Sequence, residues 1–414
     1  MIFPSTTRIM TDPISSLFRP ALFFLIATLL ALVVFPARAQ IFKLPQPDTT
    51  RGNFFGVSVS IDGDRALVGA SAENSCGDNS GAAYIFERDS LSGDWQIRAK
   101  ITPDDCEAKQ FFGRAVSLSG DRALITAFRP FFSTVLSNAA YVFERDSLSG
   151  EWKQAAKLTA NNSPDEGPFA ASVSLDGDRA LITSSGDPSN NTYNGAAYIF
   201  ERTLNGRWKK TARLTGSGGI KYGIFGTSGA LKGNRVAVSA STYFANKPGS
   251  VYVFEYDPSA RNWKETARIG GIRDFFISID IDGNRLIVGQ SKGGHHDAGM
   301  ASIYERVTAG KWRLMSEVSS STPYKDGGFG TAVAIRGNRA LVVGFDEQLS
   351  LDINIDRVVY VFEYIPETKR WDQIHIIDVG NVAFGSAIDL DNGQALIGQA
   401  SEQQPGLAYV VAIH

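Results

Sequence analysis

An apolar run, a tight polar turn and a second apolar run recur along the chain as FFGVSVSIDGDRALVGAS, FFGRAVSLSGDRALITAF and PFAASVSLDGDRALITSS, starting near Phe55, Phe112 and Phe169. Weaker copies start at Phe225, Phe275, Phe329 and Phe384, at intervals of 57, 57, 56, 50, 54 and 55 residues. In the first copy, residues 57–61 alternate apolar and polar side chains with the period of two that marks a half-buried strand, and residues 65–69 return beside it. Asp62-Gly63 supplies the positive φ angles expected of a two-residue primed turn between them. A polar loop over 71–80 leads to an aromatic-rich third strand at 81–88, residues 89–93 turn into a fourth strand at 95–101, and a loop over 102–110 reaches the next Phe-Gly pair. The third strand recurs seven times, and a Trp follows the start of its aromatic stretch (Tyr84 in the first copy) by nine to eleven residues six times, at Trp95, Trp152, Trp208, Trp263, Trp312 and Trp371.

Four antiparallel strands, named A to D, in a unit of about fifty residues repeated in series predict the blades of a propeller. The fold class is therefore all-β: a seven-bladed β-propeller of four-stranded antiparallel blades. The seventh unit stops after its third strand, at His414, and Gln40-Ile41-Phe42-Lys43-Leu44-Pro45 matches Arg98-Ala99-Lys100-Ile101-Thr102-Pro103 in register. The N-terminal segment is thus expected to supply the missing strand and close the ring, because an open ring would leave two unpaired blade edges.

Composition changes little in that picture, and charge removes one class of partner. The 41 Lys and Arg against 43 Asp and Glu leave no excess of cations to recruit nucleic acid. Arg8 and Arg19 precede a fifteen-residue, largely apolar run over 21–35, and Pro36 leads to Ala37-Arg38-Ala39, the layout of an export signal with cleavage after Ala39. The expected domains are a signal peptide over 1–39 and one propeller over 40–414, secreted, periplasmic or at the cell surface, a monomer without a membrane span once the signal is removed. In an oxidising compartment Cys76 and Cys106 are expected to pair, since the topology puts both on the long-loop face of one blade.

The Phe-Gly pairs at Phe55-Gly56, Phe112-Gly113, Phe225-Gly226, Phe329-Gly330 and Phe384-Gly385 resemble the FG-GAP repeat of integrin α-subunit propellers, and more closely its bacterial secreted relatives. The third copy departs with Phe169-Ala170 and the fifth with Phe275-Phe276, and Gly69-Ala70-Ser71 lacks the proline of the motif's second half. The resemblance implies an adhesion or binding module, and in many members calcium in the A-B loops. Here those turns are tight: Asp280-Ile281-Asp282-Gly283 and Asp389-Leu390-Asp391-Asn392-Gly393 offer too few oxygens for six to eight ligands, so they read as hairpin turns and calcium is not carried over. No metal and no cofactor is expected.

Short A-B and C-D turns share one face, and long B-C and D-A loops share the other, where binding is expected to reside. Its aromatics Phe131, Phe132, Tyr193, Tyr243 and Phe244 are the candidate ligand-binding set; they either stack on a glycan or anchor a protein, or fold down to plug their loops. His295-His296-Asp297 and the run Asp352-Ile353-Asn354-Ile355-Asp356 read as polar loop segments. The chain lacks the hydrolase elbow, the HExxH helix and the Walker loop, and the recurring Glu-Arg at the end of the third strand reads as an inter-blade ion pair, since a catalytic site breaks symmetry. Three functions are open from these residues: a secreted, non-enzymatic scaffold recognising an extracellular or envelope protein or glycan, a propeller hydrolase or lyase with carboxylates near the central channel, or a purely structural envelope component. Asp104, Asp105, Glu107, Asp346 and Glu347 are the acids the second would draw on.

Overall fold

The computed structural model describes residues 40–128, 138–160, 169–185, 195–218, 223–242, 248–272, 274, 277–294, 297–321, 327–345, 357–379 and 384–413. Residues 41–413 form a compact unit of seven four-stranded antiparallel sheets. Blade 1 runs Phe55–Asp62, Arg65–Ala70, Ala82–Arg88 and Trp95–Ile101, as strands A, B, C and D. In blade 7 strand D is the N-terminal Ile41–Lys43, which pairs with Leu407–Ala412 in the register Ile41 to Val411 and Lys43 to Tyr409. Ring closure by the first strand is as the sequence predicts. Among the described residues no helix is long and apolar enough to cross a membrane.

Strand B carries near-continuous apolar residues because both of its faces are covered. In Arg65–Ala70 every residue after Arg65 is buried, since one face meets the preceding blade and the other the next. The cores accordingly lie between blades: Ala66, Val68 and Phe86 of blade 1 pack with Leu396 and Val410 of blade 7, while Leu67 and Ile85 pack with Phe112 and Val116 of blade 2.

The Phe-Gly pair has two jobs. Phe55 meets Tyr84 and Phe86 of its own strand C at ring-centroid distances of 5.8 and 6.2 Å, and Phe112, Phe225 and Phe329 repeat the arrangement. Gly113 has φ +90°, and a Cβ there would stand 2.3 Å from Ala82 O of the blade before, so glycine lets the blades close together. The strand A register shifts just after this point, between Phe55 and Ser58 in blade 1, as at a β-bulge.

The A-B turn is shifted by one residue from the expectation. Asp62 pairs with Arg65, so the turn residues are Gly63 and Asp64, and only Gly63, at φ 58°, is left-handed. A positive angle at the first turn position alone is the pattern of a II′ hairpin. Blade 7 differs, with Asn392 at φ 45° and Gly393 at φ 73°.

Candidate functional site

The A strands are innermost and line a polar cavity of ≈ 220 Å³. Aligned on the blade phenylalanine, one lining position reads Ser60, Ser117, Ser174, Ala230, Asp280, Ala334 and Asp389 from blade 1 to blade 7. Wherever this side chain carries oxygen, it accepts the backbone N–H one residue further along in the next blade. Ser60, Ser117 and Ser174 take the N–H of Leu118, Leu175 and Leu231 at 3.1, 2.9 and 3.0 Å. Asp280 Oδ2 takes that of Ile335 at 2.8 Å, and Asp389 Oδ2 takes that of Ile61 at 2.9 Å, linking blade 7 to blade 1.

Ala230 and Ala334 have no oxygen to offer, and the blade after each carries the aspartate. There the other carboxylate oxygen, Oδ1, accepts the N–H of Ile281 or Leu390 at 2.8 Å, the donor that a serine in the preceding blade would have held. One aspartate thus satisfies two buried backbone donors, which would otherwise carry the penalty of an unmade hydrogen bond.

Two residues on, the column reads Asp62, Ser119, Asp176, Lys232, Asp282, Arg336 and Asp391. Its acceptors hold the turn glycine N–H of the next blade: Ser119 from Gly177 at 3.0 Å, Asp176 from Gly233 at 2.7 Å, Asp282 from Gly337 at 2.8 Å and Asp391 from Gly63 at 2.9 Å. The two cations turn back instead. Lys232 reaches Asp176 at 3.0 Å, and Arg336 stands between Asp280 at 2.8 Å and Asp389 at 3.6 Å. Burial pushes the Asp280 carboxyl up against the pull of Arg336 and the Ile335 N–H, while Asp280 and then Asp389 hold the guanidinium protonated despite its burial. Every oxygen of Asp280 and Asp389 already accepts a donor, so the cluster fastens blades 5, 6, 7 and 1. These aspartates lie within strand A and belong to the channel wall, whereas the sequence alone places them in hairpin turns.

Of the acids suggested for an enzymatic site, Asp104, Asp105 and Glu107 are not among the residues lining this cavity. Asp105 instead meets Lys157 at 2.6 Å and the Tyr141 hydroxyl at 3.2 Å. Asp346 and Glu347 lie outside the described residues.

On the long-loop face, blade 1 is clamped. Cys76 in the B-C loop and Cys106 in the D-A loop form a disulfide with a Cα separation of 5.9 Å. The same loops are laced by backbone bonds from Lys109, Phe111 and Phe112 N–H to Asp78, Asn79 and Ser80 carbonyls. The candidate aromatics Phe131, Phe132, Tyr193, Tyr243 and Phe244, with His295, His296 and the 352–356 run, all lie outside the described residues.

The short-turn rim carries the repeated Glu-Arg pairs, and they do bridge blades. Arg202 grips Glu144 at 2.7 and 3.0 Å, Arg306 grips Glu255 at 2.7 and 2.8 Å, and Arg145 reaches Glu87 at 3.3 Å. Where tyrosine takes the place of the strand C arginine, at Tyr256 and Tyr364, the strand B arginine of the preceding blade stacks on the ring, Arg179 at 4.6 Å and Arg285 at 4.7 Å.

A family model described as the FG-GAP repeat matches residues 39–86, 95–143, 152–200 and 208–254. The chain is a seven-bladed propeller that carries FG-GAP repeats. After residue 39, the FG-GAP matches start at Trp95, Trp152 and Trp208, the first residues of strands D, and all four end on strand C. The FG-GAP unit therefore runs D, A, B, C and is offset by one strand from the blade, the same offset seen where the first strand of the chain completes the last blade. Among solved structures, the FG-GAP propeller is similar to a hypothetical selenium-binding protein from Sulfolobus tokodaii, with 12% identity over 86% of this chain and 85% of that one and a TM-score of 0.51. It also matches Sqt1 of Saccharomyces cerevisiae, with 9% identity over 90% of this chain and 89% of that one and a TM-score of 0.48. A comparison with curated proteins found no match. Calcium does not fit the FG-GAP turns here, because Asp176, Asp282 and Asp391 are committed to glycine N–H groups of neighbouring blades. Among the described residues no three His, Cys, Asp or Glu side chains gather to hold a metal.

Proposed function

We propose that this FG-GAP propeller is an exported binding scaffold that recognises a protein or glycan through its long-loop face. The observation that carries the reading is the division of labour in the ring. Polar side chains of the channel and short turns hold neighbouring blades together, as Ser117 holds Leu175 and Asp282 holds Gly337, which leaves the long loops as the variable elements on a rigid support. The segment 1–39 would direct export, consistent with a disulfide formed in an oxidising compartment.

The test is binding of the 40–414 chain to a glycan array and to envelope proteins by cross-linking. A variant with Phe131, Phe132, Tyr193, Tyr243 and Phe244 replaced by serine should lose the interaction and keep its melting midpoint. Binding unchanged in that variant contradicts the reading. One observation favours the enzymatic alternative, the half-buried Asp280 carboxyl of the channel wall, pushed up by desolvation beside a cation. A hydrolase or lyase activity abolished by Asp280→Asn in a folded protein would establish it.

A further inference from the structure

The C-D turns of three consecutive blades hold the same apolar side chain out into solvent. Leu91 and Leu148 are 96% exposed and Leu204 is 109% exposed. Four residues before each outer tryptophan, this position reads Leu91, Leu148, Leu204, Ser259, Thr308 and Glu367 from blade 1 to blade 6. The turn does not require leucine. Asp89 and Asp146 accept the N–H of Leu91 and Leu148 at 2.9 Å, and in blade 4 Asp257 accepts that of Ser259 at 3.0 Å. Blade 3 builds a turn one residue shorter on Thr203, whose Oγ1 accepts the Arg207 N–H at 3.1 Å, and still presents leucine.

The charges around the three tips differ in sign. From the first turn residue to the residue after the tryptophan, blade 1 carries Asp89 and Asp94, blade 2 carries Asp146, Glu151 and Lys153, and blade 3 carries Arg207 and Lys209. The formal charge therefore runs −2, −1 and +2. Asp94, Arg207 and Lys209 are exposed and form no ion pair among the described residues. The neighbouring rim charges are taken up inside the ring by the Glu-Arg pairs that bridge blades and by four further contacts. Arg88 stands 4.0 Å from Asp64, Arg65 3.1 Å from Asp121, Arg122 3.2 Å from Asp178 and Arg179 2.8 Å from Glu201.

We propose that the rim of blades 1 to 3 is the contact between two copies of this chain, related by a two-fold axis at blade 2. A contact of that symmetry has to be self-complementary, and this rim is. Reversing the order of the tips sets Leu91 on the partner's Leu204, Leu148 on the partner's Leu148, and Asp94 beside the partner's Arg207 and Lys209. At the axis Lys153, 3.0 Å from Glu151, answers the acids of both copies. The sign pattern selects this occupant, because a surface of either single charge would oppose one end of the rim, whereas a second copy in reversed order opposes neither. Three tips a side make a small contact, so a weak dimer takes the place of the monomer expected from the sequence. The contact lies apart from the long-loop face and does not depend on the ligand proposed for it.

The test is sedimentation equilibrium of the 40–414 chain, which holds every strand of the seven blades, over a wide range of micromolar concentration. A monomer–dimer equilibrium is expected, its dissociation constant raised at least about tenfold in the triple variant L91S/L148S/L204S. Asp94→Arg alone and Arg207→Asp alone should each weaken the dimer to a similar degree, since like charges then face one another twice across the axis. An equimolar mixture of those two variants should recover it as a heterodimer, because every crossing then joins opposite charges. Ser259 already holds the leucine's position in blade 4, so the triple variant should keep the far-ultraviolet spectrum of the parent, and loss of the dimer is not loss of fold. A parent that stays monomeric at every concentration, a dimer that the triple variant leaves unchanged, or a mixture no more associated than its components overturns the proposal.

Discussion

Blades 1 to 3 and blades 5 to 7 solve one problem with different chemistry. In the first group neutral serines, Ser60, Ser117 and Ser174, hand a single acceptor to the next blade. In the second, alanine alternates with aspartate, and Asp280 and Asp389 each serve two donors. The charged solution needs a cation to accompany it, and Arg336 stands where blades 1, 3, 5 and 7 carry Asp62, Asp176, Asp282 and Asp391. Symmetry at the level of strands therefore hides asymmetry in stability: the serine arc relies on neutral hydrogen bonds, and the charged arc on a half-buried ion cluster in which loss of the cation leaves a charge without its partner.

The largest difference between the arcs should appear on removing that cation. Arg336→Met leaves the half-buried Asp280 without its cation and should cost more than a serine deletion in urea unfolding. A cost below that of a serine deletion would erase the distinction. Next, Cys76→Ser with Cys106→Ser opens a clamp between residues 30 apart in sequence and should cost about 3–4 kcal/mol by loop entropy, read as a lower melting midpoint with the far-ultraviolet spectrum unchanged. Smaller again, Ser117→Ala removes the acceptor of Leu175 N–H and should cost about 1–3 kcal/mol.

The smallest effect is electrostatic and lies on the rim. The hydrogen bonds of Arg306 hold the Glu255 carboxyl below its ordinary 4.5, so the native state binds fewer protons than the unfolded chain in that window. Stability from this pair is complete above about pH 4.5 and is lost as pH falls toward the depressed value. Arg306→Met should flatten that part of the acid-unfolding profile, and an unaltered acid slope would show the pair to be inert.

Blade number, strand order, ring closure and the disulfide were legible because each rests on local chemistry: glycine in turns, alternation in strands, cysteines in loops facing one way. The aspartates of the channel were not, since Asp280-Ile281-Asp282 has the look of a turn when read along one blade. Aligning all seven blades on their phenylalanines exposes the signal, a serine, alanine and aspartate column in which each aspartate follows an alanine, and a second column broken by Lys232 and Arg336. The dependence is between blades, which a reading along the chain does not reach. The exposed leucines were likewise invisible, because Leu91 in Asp89-Ser90-Leu91-Ser92-Gly93 has no pattern to tell whether it folds inward.

The claim that an aspartate replaces the serine missing from the preceding blade is tested most directly by a double-mutant cycle on Ala230 and Asp280, followed by urea unfolding. In the parent, Ala230→Ser gives Ile281 N–H an acceptor it does not need and should change stability by less than about 0.5 kcal/mol. In the Asp280→Ser background that N–H has lost its partner, and the new serine should recover about 1 kcal/mol. Equal effects of Ala230→Ser in both backgrounds would contradict the account.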